Sequence, residues 1–199
     1  MPTRAAEKIM SEKNHPLDPA NPLVLSTREL PRGAGEMREV VREAPAPADL
    51  GLPLIGAPEG APLALDLRME SASEGVFVSG TVTARVEGEC GRCLRPIGET
   101  VVGHIGELFA YPGSTTEETT DEDEVSRLHD DLADLEPAVR DAIVLDLPST
   151  PLCRPDCPGL CPECGQPFDD LPADHAHEQV DARWSKLAEL RDQGESEGS

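Results

Sequence analysis

Residues 63–70 read Leu-Ala-Leu-Asp-Leu-Arg-Met-Glu, and this stretch decides the fold. Its large apolar residues take every second position and are separated by polar or small ones. Because the side chains of a strand alternate between two faces, the pattern predicts a strand that is buried on one face. The same alternation returns over residues 76–86, after a turn-like composition at 71–75, so the two segments predict an antiparallel hairpin.

The flanking segments add further elements around this hairpin. Residues 97–111 predict a third strand bent by glycines, residues 23–30 predict a short strand or docking segment, and residues 37–52 hold at most one strand. Apolar residues at helical spacing end before Pro148 and predict a helix that begins near Glu136. A second short helix is predicted over residues 181–191.

The composition limits both the core and the partners. The 199 residues carry 39 acidic and 17 basic side chains, a formal net charge of −22, and only 3% are aromatic. A field of this sign repels polyanions, which excludes nucleic-acid binding by bulk charge and leaves only local or indirect contact with RNA. With 20 prolines and 17 glycines the apolar core must be small, and small cores often recruit a metal ion as a staple.

Six cysteines carry the strongest chemical signal. No signal peptide or membrane span is recognisable, so we expect a cytoplasmic chain, in which reduced thiols bind metal rather than form disulfides. Two pairs have the Cys-x-x-Cys spacing of a zinc knuckle: one at the turn between the second and third strands, the other followed by glycine. Two single cysteines precede the second pair. The metal candidates are Cys90, Cys93, Cys153, Cys157, Cys161 and Cys164.

Six thiols exceed the four ligands that zinc takes, so two ligand sets stay open. In one set, the two Cys-x-x-Cys pairs close a split ribbon. In the other, Cys153 and Cys157 supply two of the ligands. We expect one Zn²⁺ per chain, held by four of the six cysteines, with Cys90 and Cys93 always included, while a remaining thiol such as that of Cys153 can be a small buried apolar group.

No catalytic set is visible in the sequence. A thioredoxin-like dithiol requires Cys-x-x-Cys at the start of a helix, and neither pair has that context. His175-x-His177 could bind a metal, but its surroundings, rich in proline and aspartate, favour a solvated segment. No nucleophile elbow, phosphate-binding glycine loop or metalloprotease helix is recognisable. We therefore expect a protein that is not an enzyme.

The predicted organisation is a single domain with polar ends. Residues 1–22 form a disordered arm, residues 23–190 a zinc-stapled domain that includes an acidic loop at 113–134, and residues 191–199 a disordered tail. The fold class is accordingly α+β: a small antiparallel β-sheet or partial barrel with a zinc-knuckle cysteine cluster, two short helices and disordered termini.

Short motifs occur in series from about residue 23 to 190. They are Leu30-Pro31-Arg32, Gly35-Glu36-Met37, Gly75-Val76-Phe77-Val78-Ser79-Gly80, Cys90-Gly91-Arg92-Cys93-Leu94, Glu107-Leu108-Phe109, Asp156-Cys157-Pro158-Gly159-Leu160-Cys161-Pro162-Glu163-Cys164-Gly165 and Asp181-Ala182-Arg183-Trp184. Together they resemble the YceD family of large ribosomal RNA subunit accumulation proteins, in its high-cysteine bacterial form. The resemblance implies a non-enzymatic factor in 23S rRNA accumulation and processing, and so in large-subunit biogenesis.

Two functional hypotheses stand beside each other. The first is a zinc-stapled assembly factor whose acidic surface engages a basic ribosomal protein or a pre-large-subunit particle. Any direct RNA contact would then be local, at Arg92, Arg95 and Arg154 near the cysteines, and no membrane contact is expected. The second is a zinc-thiol redox sensor or oxidoreductase, in which cysteine reactivity is the activity.

Overall fold

Strands dominate the part of the chain that the computed structural model describes, residues 17–119 and 125–177. The chain divides into two compact units, Met1–Pro155 and Asp156–Ser199. The first unit holds the helices α1 (Thr115–Thr119) and α2 (Glu136–Asp146), and the second holds a 3₁₀ turn at Phe168–Asp170. The strands, all in the first unit, are β1 (Val24–Ser26), β2 (Met37–Pro45), β3 (Gly51–Leu52), β4 (Ile55–Gly56), β5 (Pro62–Ser71), β6 (Gly75–Glu89), β7 (Pro96–Ala110), β8 (Ser126–Arg127) and β9 (Leu132–Asp134).

The β5–β6 hairpin forms the centre of the main sheet, as the alternating sequence predicts. One edge of β6 pairs antiparallel with β5 and, beyond the end of β5, with the short β4. The other edge pairs with β7 over its whole length, from Gly75 opposite Ala110 to Glu89 opposite Pro96. β2 lies outside β5, β3 pairs with β4, and β8 pairs in parallel with the end of β7. A separate two-stranded sheet joins β1 to β9.

The core lies on one face of this sheet. The inward residues of β5 and β6 are almost completely buried, and α2 buries Val139, Ala142 and Ile143. Gly103 of β7 allows the helix to approach, because a Cβ atom at that position would lie 2.5 Å from the carbonyl oxygen of Ala142. The helix therefore packs directly on the backbone of β7.

The prediction of two short helices is not borne out. α2 begins at Glu136, as expected, but the second predicted helix, over residues 181–191, lies outside the described residues. The described residues have one helix longer than two turns and the single turn α1, which the sequence did not indicate. In α1 the Thr119 hydroxyl donates to the Thr115 carbonyl, and the Thr116 amide donates to the Glu74 carboxylate. Hydrogen bonds of this kind satisfy a short turn that lacks an apolar stripe.

The acidic segment at 113–134 contains more structure than the predicted loop. Besides α1 it includes β8 and β9, and it buries Leu128, Leu132 and Ala133. Pairing of β8 with the end of β7 and of β9 with β1, which lies far away in sequence, explains the difference. At the termini, residues 1–16 and 178–199 lie outside the described ranges, whereas residues 17–22 include turns held by Asp18 and Asn21. The single-domain prediction for 23–190 stays a prediction.

Candidate metal centres

The first Cys-x-x-Cys pair forms a tight turn between β6 and β7. The amide of Cys90 donates to the carbonyl of Arg95 at 2.9 Å, and the amide of Leu94 donates back to the carbonyl of Cys90 at 2.9 Å. Leu94 takes a left-handed backbone conformation, with φ of 57°. The turn buries both thiols, leaving Cys90 0% and Cys93 3% exposed.

A third thiol joins this turn from the loop after α2. The Gly91 amide donates to the Pro151 carbonyl at 2.8 Å, which holds that loop against the turn. The Sγ atoms of Cys93 and Cys153 are then 3.7 Å apart, and the Sγ atoms of Cys90, Cys93 and Cys153 lie within 4.8 Å of one another. Two sulfurs bound at about 2.3 Å to one tetrahedral Zn²⁺ are about 3.8 Å apart. The three thiols therefore have the spacing of metal ligands.

The surroundings of Cys90 favour its thiolate. The backbone N–H group of Cys153, assisted by those of Arg92 and Cys93, lowers the pKa of the Cys90 thiol to about 6, against the opposing effect of burial. A thiolate is the form that binds metal and the form that attacks oxidants. Both uses are chemically open to this thiol.

The second Cys-x-x-Cys pair repeats the same turn in the second unit. The amide of Cys161 donates to the carbonyl of Gln166 and the amide of Gly165 donates to the carbonyl of Cys161, each at 2.8 Å. Gly165 takes the left-handed conformation, with φ of 69°, at the position equivalent to Leu94. The two turns share their hydrogen bonds and their backbone, although only one carries the expected glycine. We call them the first and second knuckles, residues 90–95 and 161–166.

Two histidines lie beside the second knuckle. The Cys164 Sγ is 3.6 Å from the His175 Nε2, and the ring centroids of His175 and His177 are 4.5 Å apart. The candidate ligand atoms of Cys161, Cys164, His175 and His177 all lie within 4.8 Å of one another. The pKa of the Cys161 thiol is lowered to about 6, mainly by a hydrogen bond from the backbone N–H of Cys164. Burial raises this pKa, whereas the hydrogen bond with the His175 side chain lowers it further.

Comparison with known proteins identifies the family to which the chain belongs. Residues 78–191 match the family described as "Large ribosomal RNA subunit accumulation protein YceD". The chain belongs to the YceD family. Uncharacterized proteins of Mycobacterium tuberculosis and Mycobacterium bovis are 52% identical to it over 171 residues, covering 86% of this chain and 82% of the relative. An uncharacterized Mycobacterium leprae protein is 43% identical over 170 residues, covering 85% of this chain and 78% of the relative.

The YceD match includes both knuckles and most of the β6–β7 hairpin. No solved structure gives a significant match to the chain. Within the described residues, no helix has the length and apolar character needed to cross a membrane. The family description names a process, the accumulation of large-subunit rRNA. The comparisons supply no solved structure that shows how the cysteines are used.

The donor atoms fit Zn²⁺ in both units. Thiolates with imidazoles are soft to borderline ligands, and their spacing near 3.7 Å suits a tetrahedral ion. A split ribbon is not required by either unit, because each knuckle has other candidate ligands beside it in its own unit. Cys157, the first cysteine of the second unit, is buried.

Sequence reasoning undervalued His175 and His177. The interpretation as a solvated segment relied on composition, whereas the structure places both rings at the second knuckle. The signal available in the sequence was the His-x-His spacing after Pro172-Ala173-Asp174, a turn that the His175 amide closes on the Pro172 carbonyl. In an extended segment, residues two apart project to the same side.

Proposed function

We propose that this chain is a non-enzymatic factor in the accumulation and processing of 23S rRNA, and so in biogenesis of the large ribosomal subunit. The observation that carries the proposal is the YceD match over residues 78–191. It covers the knuckles and most of the β6–β7 hairpin, so the candidate metal centres belong to the part of the chain that matches the family.

In this proposal the first knuckle holds a structural Zn²⁺ through Cys90, Cys93, Cys153 and a fourth protein ligand. Four protein ligands leave no open coordination position for a substrate or an activated water. The metal would then stabilise the end of the β6–β7 hairpin and supply no catalytic chemistry.

The proposed partner is a basic ribosomal protein or a pre-large-subunit particle in the cytoplasm. A net charge of −22 attracts basic surfaces and opposes the approach of phosphate. Direct RNA contact would be confined to Arg92 and Arg95, which lie in the first knuckle, and Arg154, which follows Cys153 in the sequence. Filter binding of 23S rRNA fragments is expected to be weak, to fall with added salt and to be lost in Arg92→Glu, whereas tight, salt-insensitive binding would contradict this arrangement.

The decisive experiment is genetic. Deleting the gene in its own bacterium should lower the ratio of 23S to 16S rRNA and of 50S to 30S subunits, and the wild-type gene should restore both. Cys93→Ser should fail to restore them, whereas Leu145→Ser, at a helix position that is 84% exposed, should restore them fully. Unchanged 23S rRNA in the deletion strain would refute the proposal.

A redox role is the second candidate, and the low thiol pKa values near 6 at Cys90 and Cys161 favour it. Cys153 and Cys164 are exposed, so an oxidant can reach each metal group. Zinc content is measured before and after mild peroxide and again after a thiol reductant. Retention of zinc supports a structural metal, whereas reversible release together with a reversible drop in 23S rRNA in peroxide-treated cells supports the sensor.

A further inference from the structure

We propose that the second unit holds a metal ion of its own, bound by Cys161, Cys164, His175 and His177, so that the chain carries two Zn²⁺ ions. The inference goes beyond the function proposed above; the new site rests only on residues of the second unit, and the count of two rests in addition on the Zn²⁺ proposed for the first knuckle. It raises the metal content above the single Zn²⁺ expected from the cysteine count.

The two thiols of this site are positioned by a knuckle that closes on itself. Besides its internal hydrogen bonds, the second knuckle is flanked by a β-bridge between Leu160 and Pro167, and the Phe168 amide donates to the Gly159 carbonyl at 3.0 Å. These contacts fix both ends of the turn. Cys161 is buried at its start and Cys164 is exposed at its end, so a metal ion can enter from solvent.

The two imidazoles are supplied by the segment that returns to the knuckle. The turn at 172–175 ends with His175, and the His-x-His spacing brings the second ring beside the first. A sulfur at about 2.3 Å and a nitrogen at about 2.0 Å from one tetrahedral Zn²⁺ are about 3.5 Å apart. The separation of Cys164 Sγ from His175 Nε2 is 3.6 Å. These two ligand atoms therefore already have the separation that a tetrahedral Zn²⁺ requires.

The second unit also has the composition of a domain that needs a metal. None of its described residues, 156–177, belongs to the hydrophobic core, and its buried apolar side chains are those of Cys157 and Cys161. A segment of this size cannot offset the entropy of ordering without burying apolar surface. Binding of Zn²⁺ by four ligands can supply that free energy, as it does in other small metal-dependent folds.

The test is metal counting on the full chain, purified and saturated with Zn²⁺. We expect about two Zn²⁺ per chain in the wild type and about one in the double variant His175→Ala/His177→Ala. His104→Ala, which changes an exposed histidine on β7, is the matched control and should keep two. A wild type with one Zn²⁺, or a double variant that still holds two, would overturn the proposal.

A second variant identifies the ligands. Cys90→Ser disrupts the first knuckle and should leave about one Zn²⁺, whose X-ray absorption spectrum should fit two sulfur and two nitrogen ligands. A remaining ion with four sulfur ligands, or loss of all metal in Cys161→Ser, would indicate a cysteine-only site shared by the two knuckles and would refute the inference. Because these measurements do not involve rRNA, they can succeed or fail separately from the proposed function.

Discussion

Gly103→Ala is expected to displace α2 from the sheet. A Cβ atom at this position would lie 2.5 Å from the carbonyl oxygen of Ala142 and 3.0 Å from its Cβ. Ordinary non-bonded contacts are about 3.5–4.0 Å, so the helix must move by about 1 Å and lose contacts of Val139 and Ile143 with the core. Overpacking of this kind costs about 1–3 kcal/mol, and we expect the upper end because both clashing partners belong to helix backbone or Cβ.

The assay is urea unfolding followed by circular dichroism, with Gly106→Ala as the control on the same strand. A Cβ atom at position 106 would have Phe77 Cζ as its nearest neighbour, at 3.8 Å, so no clash arises. The control should be neutral or stabilised by about 0.5 kcal/mol, because alanine reduces the freedom of the unfolded chain. For Gly103→Ala a loss near 3 kcal/mol corresponds to a fall in Tm of about 6–12 °C. Equal stabilities of the two variants would refute the packing argument.

Three further predictions concern the knuckles. Cys93→Ser should remove about one Zn²⁺ per chain, by elemental analysis, and lower the free energy of unfolding by about 3 kcal/mol or more, since structural Zn²⁺ supplies about 10–16 kcal/mol of binding energy. Leu94→Gly should stabilise the chain by about 0.5–1 kcal/mol in urea, because it relieves a left-handed backbone at a side chain that is 54% exposed. In the metal-free chain, stability from the thiolates of Cys90 and Cys161, complete above the usual thiol pKa of about 8.5, should be lost as pH falls through about 6, which urea unfolding at a series of pH values measures.

The sequence predicted what is local in the fold. The alternation in β5 and β6 and the helical stripe that begins at Glu136 each lie within one segment, so their period could be identified directly. The β1–β9 pair could not be predicted, because two three-residue strands separated by more than a hundred residues have no periodic signal. α1 depends on the carboxylate of Glu74, far away in sequence, and was missed for the same reason.

In the candidate sites, too, the local features were predicted from the sequence and the long-range ones were not. The Cys-x-x-Cys spacing predicted both knuckles, because the turn is built from six consecutive residues. Which other ligands join each knuckle depends on loops that return from elsewhere, and spacing alone does not determine where they end. Cys153 reaches the first knuckle through the hydrogen bond between Gly91 and Pro151, and His175 reaches the second through a proline turn. The left-handed Leu94 was also unexpected, since leucine rarely adopts that conformation.

The pairing of β1 with β9 has a consequence for how the protein is made. Val24 lies opposite Asp134, so β1 is synthesised 110 residues before its partner strand. At about 5–20 residues per second, the delay is about 5–20 s. Leu25 is fully buried in the finished protein, yet its side chain lacks its β-sheet neighbours throughout that interval. The hairpin of β5 and β6 can form much earlier in translation, and the amino-terminal strand is added to the fold only when β9 has emerged.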